Sequence, residues 1–464
     1  MEIERLREGR EVTLTEVLDA RERRVVRQNE MLKNGDTLVS FTLNMPGPVK
    51  QFPLAQAFFE RGLARLERAL DRQHIQVNSK TVFFDVTGSE AFLSTGAPPL
   101  EIKKITSALE ESSQASRLYD MDVLNSCGQK IERGEVGLPS RTCIVCGRPV
   151  LDCAPRRIHS ADELARTAVK LMYDDECETF SSRVAEQAQR ALLCEVCVSL
   201  KPGLVDRFNN GSHRDMDLFT FIDSACALAA YFRQCVRLGI DCAERRPDEL
   251  FRMLRLPGME AEEAMYAATG GVNAHKGAIF SVGVLCAARG WLWARGERAS
   301  LERLAHTAAA MTTYVNDDFS VAHDTAGVRI FKSCGVSGVR GEASAGFPSV
   351  LKTALPLLEK LLENGASLND AAAVTLLRLI CEVDDTNMIR RSSLERFRAV
   401  QRELKAQFSS NSVPSRAEIE ALDQKFISEN LSPGGCADLL ALTLLLHFMK
   451  EFENETASWS AGPA

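Results

Sequence analysis

Two spacings of apolar residues divide the chain. Up to about residue 130, short strand-like runs alternate with helical ones. Thr37 to Met45 (TLVSFTLNM) and Val82 to Thr87 (VFFDVT) are rich in β-branched and aromatic residues and are bounded by Gly, Pro or Asn. Between them, Pro53 to Arg72 carries apolar residues at helical spacing and opens with Pro, which suits a first helical turn. Arg117 to Leu124 (RLYDMDVL) reads as a further strand. After about residue 178 the helical period takes over. Helices are expected over Ala274–Arg295, Ser300–Tyr314, Ser349–Glu363, Asp370–Val383 and Cys436–Glu453, with Gly-rich polar breaks between them. Ser409 to Ser415 reads as a loop and Thr456 to Ala464 as a fraying end. A helix over Ala161–Met172 is expected to end at the acidic patch Asp174–Glu178. The pattern therefore predicts two domains: residues 1–174, α/β or α+β, and residues 178–464, all-α.

Composition adds limits. The chain has 464 residues, 45% hydrophobic and 26% charged, which is ordinary globular usage and excludes disordered or collagen-like classes. The net charge of −7, with the acidic excess after Lys170, argues against a nucleic-acid or anionic-membrane partner. The charged start MEIERLREGREV offers no secretory apolar core, and the apolar stretch Leu439–Met449 is too short to span a bilayer. Together with fourteen cysteines, these features predict a cytoplasmic protein with reduced thiols.

Chemistry enters at two places. In a strand, Asp120 and Asp122 share a face, where their mutual repulsion is relieved by a cation such as Mg²⁺ or, in the plainer reading, by solvent. Downstream, Cys143-x2-Cys146-x6-Cys153-x5-His159 has a spacing compatible with tetrahedral zinc, or with half-buried thiols in a loop. Arg141, Arg148, Arg156 and Arg157 lie among these residues.

The runs SFTLNMPGPVK, RLYDMDV and the Arg-x-Cys-x-x-Cys…Cys…His stretch, over roughly residues 12 to 172, resemble holo-citrate lyase synthase. The resemblance implies a nucleotidyltransferase-like domain that transfers a phosphoribosyl-dephospho-CoA unit to a serine of an apo acyl carrier subunit, releasing pyrophosphate. It further implies that Asp120 and Asp122 hold Mg²⁺, that Arg117 contacts a phosphate, and that Lys50, near Asn44 and Gly47, does the same. The family's His-Pro-x-Gly ahead of that arginine is replaced here by Ser113, Gln114, Ala115 and Ser116.

The second place is a set of polar loops at helix ends. KPGLVDRFNNGSHRDMD (201–217) gathers Lys201, Asp206, Arg207, His213, Arg214 and Asp215 around two turns. TGGVNAHKG (269–277) opens a long apolar helix, whose N-terminus favours anions, and carries Asn273, His275 and Lys276. Further loops hold Arg340-Gly341-Glu342, Asp384-Asp385-Thr386-Asn387, and Ser432-Pro433-Gly434-Gly435 with Asp438 one turn on. Each could be a solvated cap. As an ordered set over residues 178 to 450 they resemble triphosphoribosyl-dephospho-CoA synthase, which implies that ATP gives up adenine while its triphosphoribose joins the 2′-hydroxyl of 3′-dephospho-CoA. Departures are Ala274 in place of Thr, Asp384 in place of Gly, and Ser392-Ser393 in place of a Gly pair.

Loss of adenine leaves an oxocarbenium-like ribose that carboxylates stabilise, and the incoming hydroxyl needs a base. Asp215, Glu342 and Asp385 are candidates for those roles, and His213 and His275 for acid–base work. Lys201, Arg207, Asn273, Lys276 and Arg340 are candidate substrate contacts, with Asp206, Asp385 and Asn387 as candidate Mg²⁺ partners. The expectation is thus a bifunctional transferase using ATP and 3′-dephospho-CoA and acting on the citrate lyase carrier. Two alternatives stand beside it: the same chemistry for a malonate decarboxylase carrier, and an N-terminal half that only docks the carrier on a zinc-stabilised surface.

Overall fold

A computed structural model describes residues 3–32, 36–153, 155–315, 329, 331–332, 334–408 and 414–455. Most of the expected 409–415 loop and all of the expected fraying end at 456–464 lie outside these residues. The chain divides into two compact units, the first ending at Glu178 and the second starting at Thr179.

The first unit is built on four antiparallel strands: β1 (Thr37–Leu43), β2 (Ser79–Asp85), β3 (Gly88–Thr95) and β4 (Tyr119–Leu124), in the order β2-β3-β1-β4. Helices α1 (Leu14–Met31), α2 (Pro53–Arg72) and α3 (Pro99–Glu110) complete it. The all-antiparallel pairing settles the α/β-or-α+β question as α+β, because no strand is joined to a neighbour by a parallel crossover. Alternation sends Phe41, Ala91, Tyr119, Met121 and Val123 to one face, where they pack with Phe58, Phe59 and Leu66 of α2. The Phe41 and Phe59 rings stack at 4.7 Å, and Gly62 is required there because a Cβ would come within 2.7 Å of Tyr119. The opposite face carries a polar row in which Thr42 sits between Glu90 and Asp120, with Ser40 opposite Asp122. Part of this face is held to α1 by Arg24 and Arg27, each 2.8 Å from Glu90.

Helix α4 (Ala161–Cys197) corrects the expected break. It runs on through the acidic patch rather than ending at Met172. The carboxylates of Asp175 and Glu176 are neutralised by Arg61 of α2, so the charges that read as a loop are used within a helix.

Among the described residues the second unit has no strand. Its helices are α5 (Leu218–Asp241), α6 (Pro247–Ala268), α7 (Lys276–Ala294), α8 (Leu301–Met311), α9 (Gly338–Ser344), α10 (Leu355–Glu363), α11 (Leu368–Glu382), α12 (Thr386–Arg391), α13 (Leu394–Gln407), α14 (Arg416–Ser428) and α15 (Gly434–Glu455). Helix α7 is long and apolar enough to cross a membrane by composition, yet most of its residues are buried inside the protein. It meets α5 through Gly239 and Gly290: a Cβ on either would strike the other helix's backbone. The expected helices from Ala274, Ser300, Ser349, Asp370 and Cys436 are all present within a few residues, the third opening with a π-helical turn at Val350–Ala354.

Candidate active sites

In the first unit the side chains of interest gather at the free edge of β4. An edge strand leaves backbone groups that must find partners. Here the buried Glu110 carboxylate accepts from the Met121 N–H (2.8 Å), and the buried Lys103 ammonium donates to the Met121 carbonyl (3.5 Å). Arg141 donates to the Tyr119 carbonyl and also reaches Glu110, while Arg133 lies 3.2 Å from the other Glu110 oxygen. Burial holds the Glu110 pKa above the usual carboxylate range and that of Lys103 below the usual ammonium range. Asp120 and Asp122 do share one half-exposed face, each with one cation beside it: Arg141 at 3.4 Å and Lys130 at 2.6 Å.

Next to this edge is a cavity of about 880 Å³ lined by Asn44, Arg117, Arg133, Arg141, Cys143, Cys153 and His159, among others. The Arg117 guanidinium is fixed by both the carbonyl and the hydroxyl of Thr142. Asp120, Asp122 and Lys50 are outside the lining, and the half-buried Lys50 ammonium donates to the Met45 carbonyl. The ligand atoms of Cys143, Cys146, Cys153 and His159 all lie within 4.8 Å of one another. His159 beside Cys146 brings that thiol down to about 6, and Cys146 in turn pushes Cys153 up to about 11.

In the second unit, residues far apart in sequence meet in the interior. Lys201 is buried, and its ammonium is held by the Glu195 carboxylate (2.6 Å) and carbonyl (2.8 Å) of α4. His275, equally buried, has Nδ1 2.7 Å from the Ser224 hydroxyl and no hydrogen-bond partner on Nε2. Burial, with Lys201 nearby, lowers it to about 3, so its imidazole is neutral. Asp385 caps α12, accepting from the Asn387 and Met388 N–H groups, and also accepts from Cys436 N–H in the first turn of α15. Gly435 permits this approach, since a Cβ there would press on the Asp385 carboxylate. Half-buried Asp438 takes the Ala278 N–H at the start of α7 and occupies the space that a Gly277 side chain would need. Three helix N-termini thus converge on two carboxylates. Burial raises the pKa of Asp385, Asp438 and Glu195, and for Asp438 the neighbouring Glu195 and Asp385 add to the rise.

The other candidates lie around this cluster or are committed elsewhere. Asp206 gives its oxygens to the N–H groups of Lys201, Phe208 and Asn209 and so organises its loop. The amide of Asn387, likewise expected at Mg²⁺, packs against Gly434. His213 accepts from Arg391 at Nδ1, which leaves Nε2 to donate to Ser432, and burial lowers its pKa to about 4. Asp215 is largely exposed, 3.9 Å from His213. Glu342 accepts from the N–H and hydroxyl of Ser349. Arg207 is bonded to Asn369 and Ser199, Lys276 to Glu262, and the Asn273 side chain accepts from Lys276 N–H. Arg340 lies half-buried on α9.

Sequence reading missed Glu195, Lys103 and Glu110, and it gave Asp438 no role. The available signal was a charged residue inside an otherwise apolar helical run, as in ALLCEVCV.

Comparison with known proteins gives this geometry a context. Residues 181–457 match the family of ATP:dephospho-CoA triphosphoribosyl transferases, and residues 12–175 match the apo-citrate lyase phosphoribosyl-dephospho-CoA transferases. Both units are therefore transferases that handle derivatives of dephospho-CoA. The chain is 34% identical over 453 residues to Protein CitXG of Haemophilus influenzae, spanning 94% of this chain and 96% of that protein. It is also 34% identical over 460 residues to Protein CitXG of Leuconostoc mesenteroides subsp. cremoris, spanning 94% and 97%. A probable 2-(5''-triphosphoribosyl)-3'-dephosphocoenzyme-A synthase of Vibrio cholerae is 41% identical over 273 residues, covering 57% of this chain and 87% of that protein. The chain belongs to the fused CitXG family, bifunctional transferases of citrate lyase maturation.

Proposed function

We propose that the second unit breaks the bond between adenine and the ribose of ATP and joins that ribose carbon to the 2′-hydroxyl of 3′-dephospho-CoA. The first unit then passes the phosphoribosyl-dephospho-CoA portion to a serine of the apo citrate lyase carrier, with pyrophosphate leaving. The observation that carries this reading is the meeting of buried Glu195, Lys201, His275 and Asp385 with half-buried Asp438, although more than two hundred residues separate the first from the last. Carboxylates near a developing oxocarbenium ion lower its energy, and Asp438 and Glu195 suit that role better than Asp215, which stays in solvent. His275 is a neutral imidazole with no hydrogen-bond partner on Nε2, which fits it to orient the incoming hydroxyl by a hydrogen bond, while its low pKa leaves the proton to a neighbouring carboxylate. His213 has both nitrogens engaged and serves to position Arg391 and Ser432.

In the first unit Arg117, Arg133 and Arg141 supply positive charge to the cavity, as the phosphates of the donor demand. Asp120 and Asp122 fit a Mg²⁺ site, since both carboxylates lie together on one half-exposed face beside the cavity's arginines. When bound, that ion supplies charge neutralisation to the leaving pyrophosphate. Fourteen cysteines suit a reducing, cytoplasmic setting.

The test is to incubate the full chain with ATP, Mg²⁺ and 3′-dephospho-CoA, quantify free adenine, then add apo citrate lyase carrier and follow its intact mass. Adenine release with a phosphoribosyl-dephospho-CoA mass gain is expected. Modification of the malonate decarboxylase carrier alone would overturn the carrier assignment, and absence of adenine from folded protein would overturn the first step.

A further inference from the structure

Neither transfer reaction calls for three thiols and an imidazole in mutual reach, yet Cys143, Cys146, Cys153 and His159 are so arranged, three of them lining the first unit's cavity. We propose that these four side chains bind one Zn²⁺ ion, and that the ion fixes the loop carrying Arg141 and Thr142 against Arg117 and the edge of β4.

The local fold supports this at each ligand. Thr142 bridges Pro149 as a two-residue antiparallel contact, and the chain turns between them through Gly147 at φ +70°. Cys143 N–H donates to the Arg148 carbonyl (2.6 Å) and Gly147 N–H to the Cys143 carbonyl (2.9 Å). This tight turn brings the first two thiols to the same side, and the Arg148 N–H is directed at Cys146 Sγ, a bond that favours thiolate. Cys153 closes the single helical turn Val150–Cys153, placing its sulfur 3.2 Å from that of Cys146. His159 stands just before α4. Its Nδ1 is 3.3 Å from the Glu163 carboxylate, and its Nε2 is shielded from solvent, with the Cys146 thiol beside the ring. A carboxylate on one ring nitrogen is the usual means of orienting a metal-bound histidine through the other.

The dimensions agree. Zinc–sulfur bonds of about 2.3 Å in a tetrahedron set the sulfurs roughly 3.8 Å apart, within the 4.8 Å spread that these ligand atoms already have. A Cys146–Cys153 disulfide would use two of the four groups and leave the buried Cys143 thiol and the His159 Nε2 without a role. Cys143, Cys153 and His159 line the cavity, and Thr142, one residue before the first ligand, holds the Arg117 guanidinium. The ion would thus act on the transfer step by positioning, not by contact with the reacting phosphate.

The experiment is elemental analysis of the full chain purified without chelator, followed by exchange of the metal for Co²⁺. One zinc per chain is expected, and the cobalt form should show a thiolate charge-transfer band with the intense visible absorption of a tetrahedral site. Cys146→Ser and His159→Ala should lose the metal and most carrier modification while releasing adenine at the parental rate, which also reports that the second unit is folded. Cys127→Ser, at an exposed cysteine outside the cluster, should keep its zinc. Failure of the reduced, metal-free chain to take up Zn²⁺ or Co²⁺ would overturn the proposal. So would zinc content unchanged in both ligand variants, or a Cys146–Cys153 disulfide in a chain that binds no metal.

Discussion

His275 shows how a single side chain links site and stability. Its folded value of about 3 lies below an unfolded value near 6.5, so the unfolded chain takes up the proton first. The sign follows: the stabilisation is complete above pH 6.5 and is lost as pH falls toward 3. Between pH 7 and 5 this group alone should lower the unfolding free energy by about 2 kcal/mol, read from urea denaturation at the two pH values. His213 adds in the same direction, with its window between 6.5 and about 4. In His275→Gln the drop should shrink, and an unchanged slope would show that the imidazole is not buried as described. Gly277 is a second case. Gly277→Ala puts a methyl group on the Asp438 carboxylate and should cost about 1–3 kcal/mol of stability. Adenine release should fall at least about tenfold, a change of ~1.4 kcal/mol in the barrier, while transfer from supplied triphosphoribosyl-dephospho-CoA should be unaffected.

At the scale of elements, α3 and β4 depend on one another through Glu110. Glu110→Ala leaves the Met121 N–H unpaired and two arginines without their buried anion, a loss of about 3–5 kcal/mol. Glu110→Gln keeps an acceptor for Met121 and should lose less, a ranking that denaturation midpoints would check. Which elements were legible in the sequence follows from the same physics. β1 and β4 could be read from their β-branched and aromatic residues and their bounds, whereas β3 escaped because nearly all its residues are buried and it shows no alternation. Helix α1 escaped because RERRVVRQNE holds the sheet through Arg24, Arg27 and Gln28 rather than through an apolar stripe. The acidic stretch of α4 read as a break because its neutralising partner, Arg61, is more than a hundred residues away. The loop motifs named several residues that meet in the second unit's cluster, Lys201, His275 and Asp385 among them. They did not show which carboxylates bind backbone N–H groups of their own loop or of a nearby element, as Asp206 and Glu342 do.

For the whole molecule, the two compact units predict that the two reactions can be disabled separately. Asp438→Asn should suppress adenine release at least about tenfold, yet leave carrier modification intact when triphosphoribosyl-dephospho-CoA is supplied. Asp120→Ala should do the reverse. Loss of both activities in either variant, from protein of parental stability, would contradict that independence. The cluster of Glu195, Asp385 and Asp438 has one further consequence, in the accounting of protons. Burial raises the pKa of all three acids and only Glu195 has Lys201 as its partner, so a proton shared among them should respond to charge arriving nearby. A polyanionic nucleotide arriving nearby should draw a proton from the buffer. The heat of ATP binding should therefore vary with the ionisation enthalpy of the buffer chosen, and in Asp438→Asn that dependence should fade.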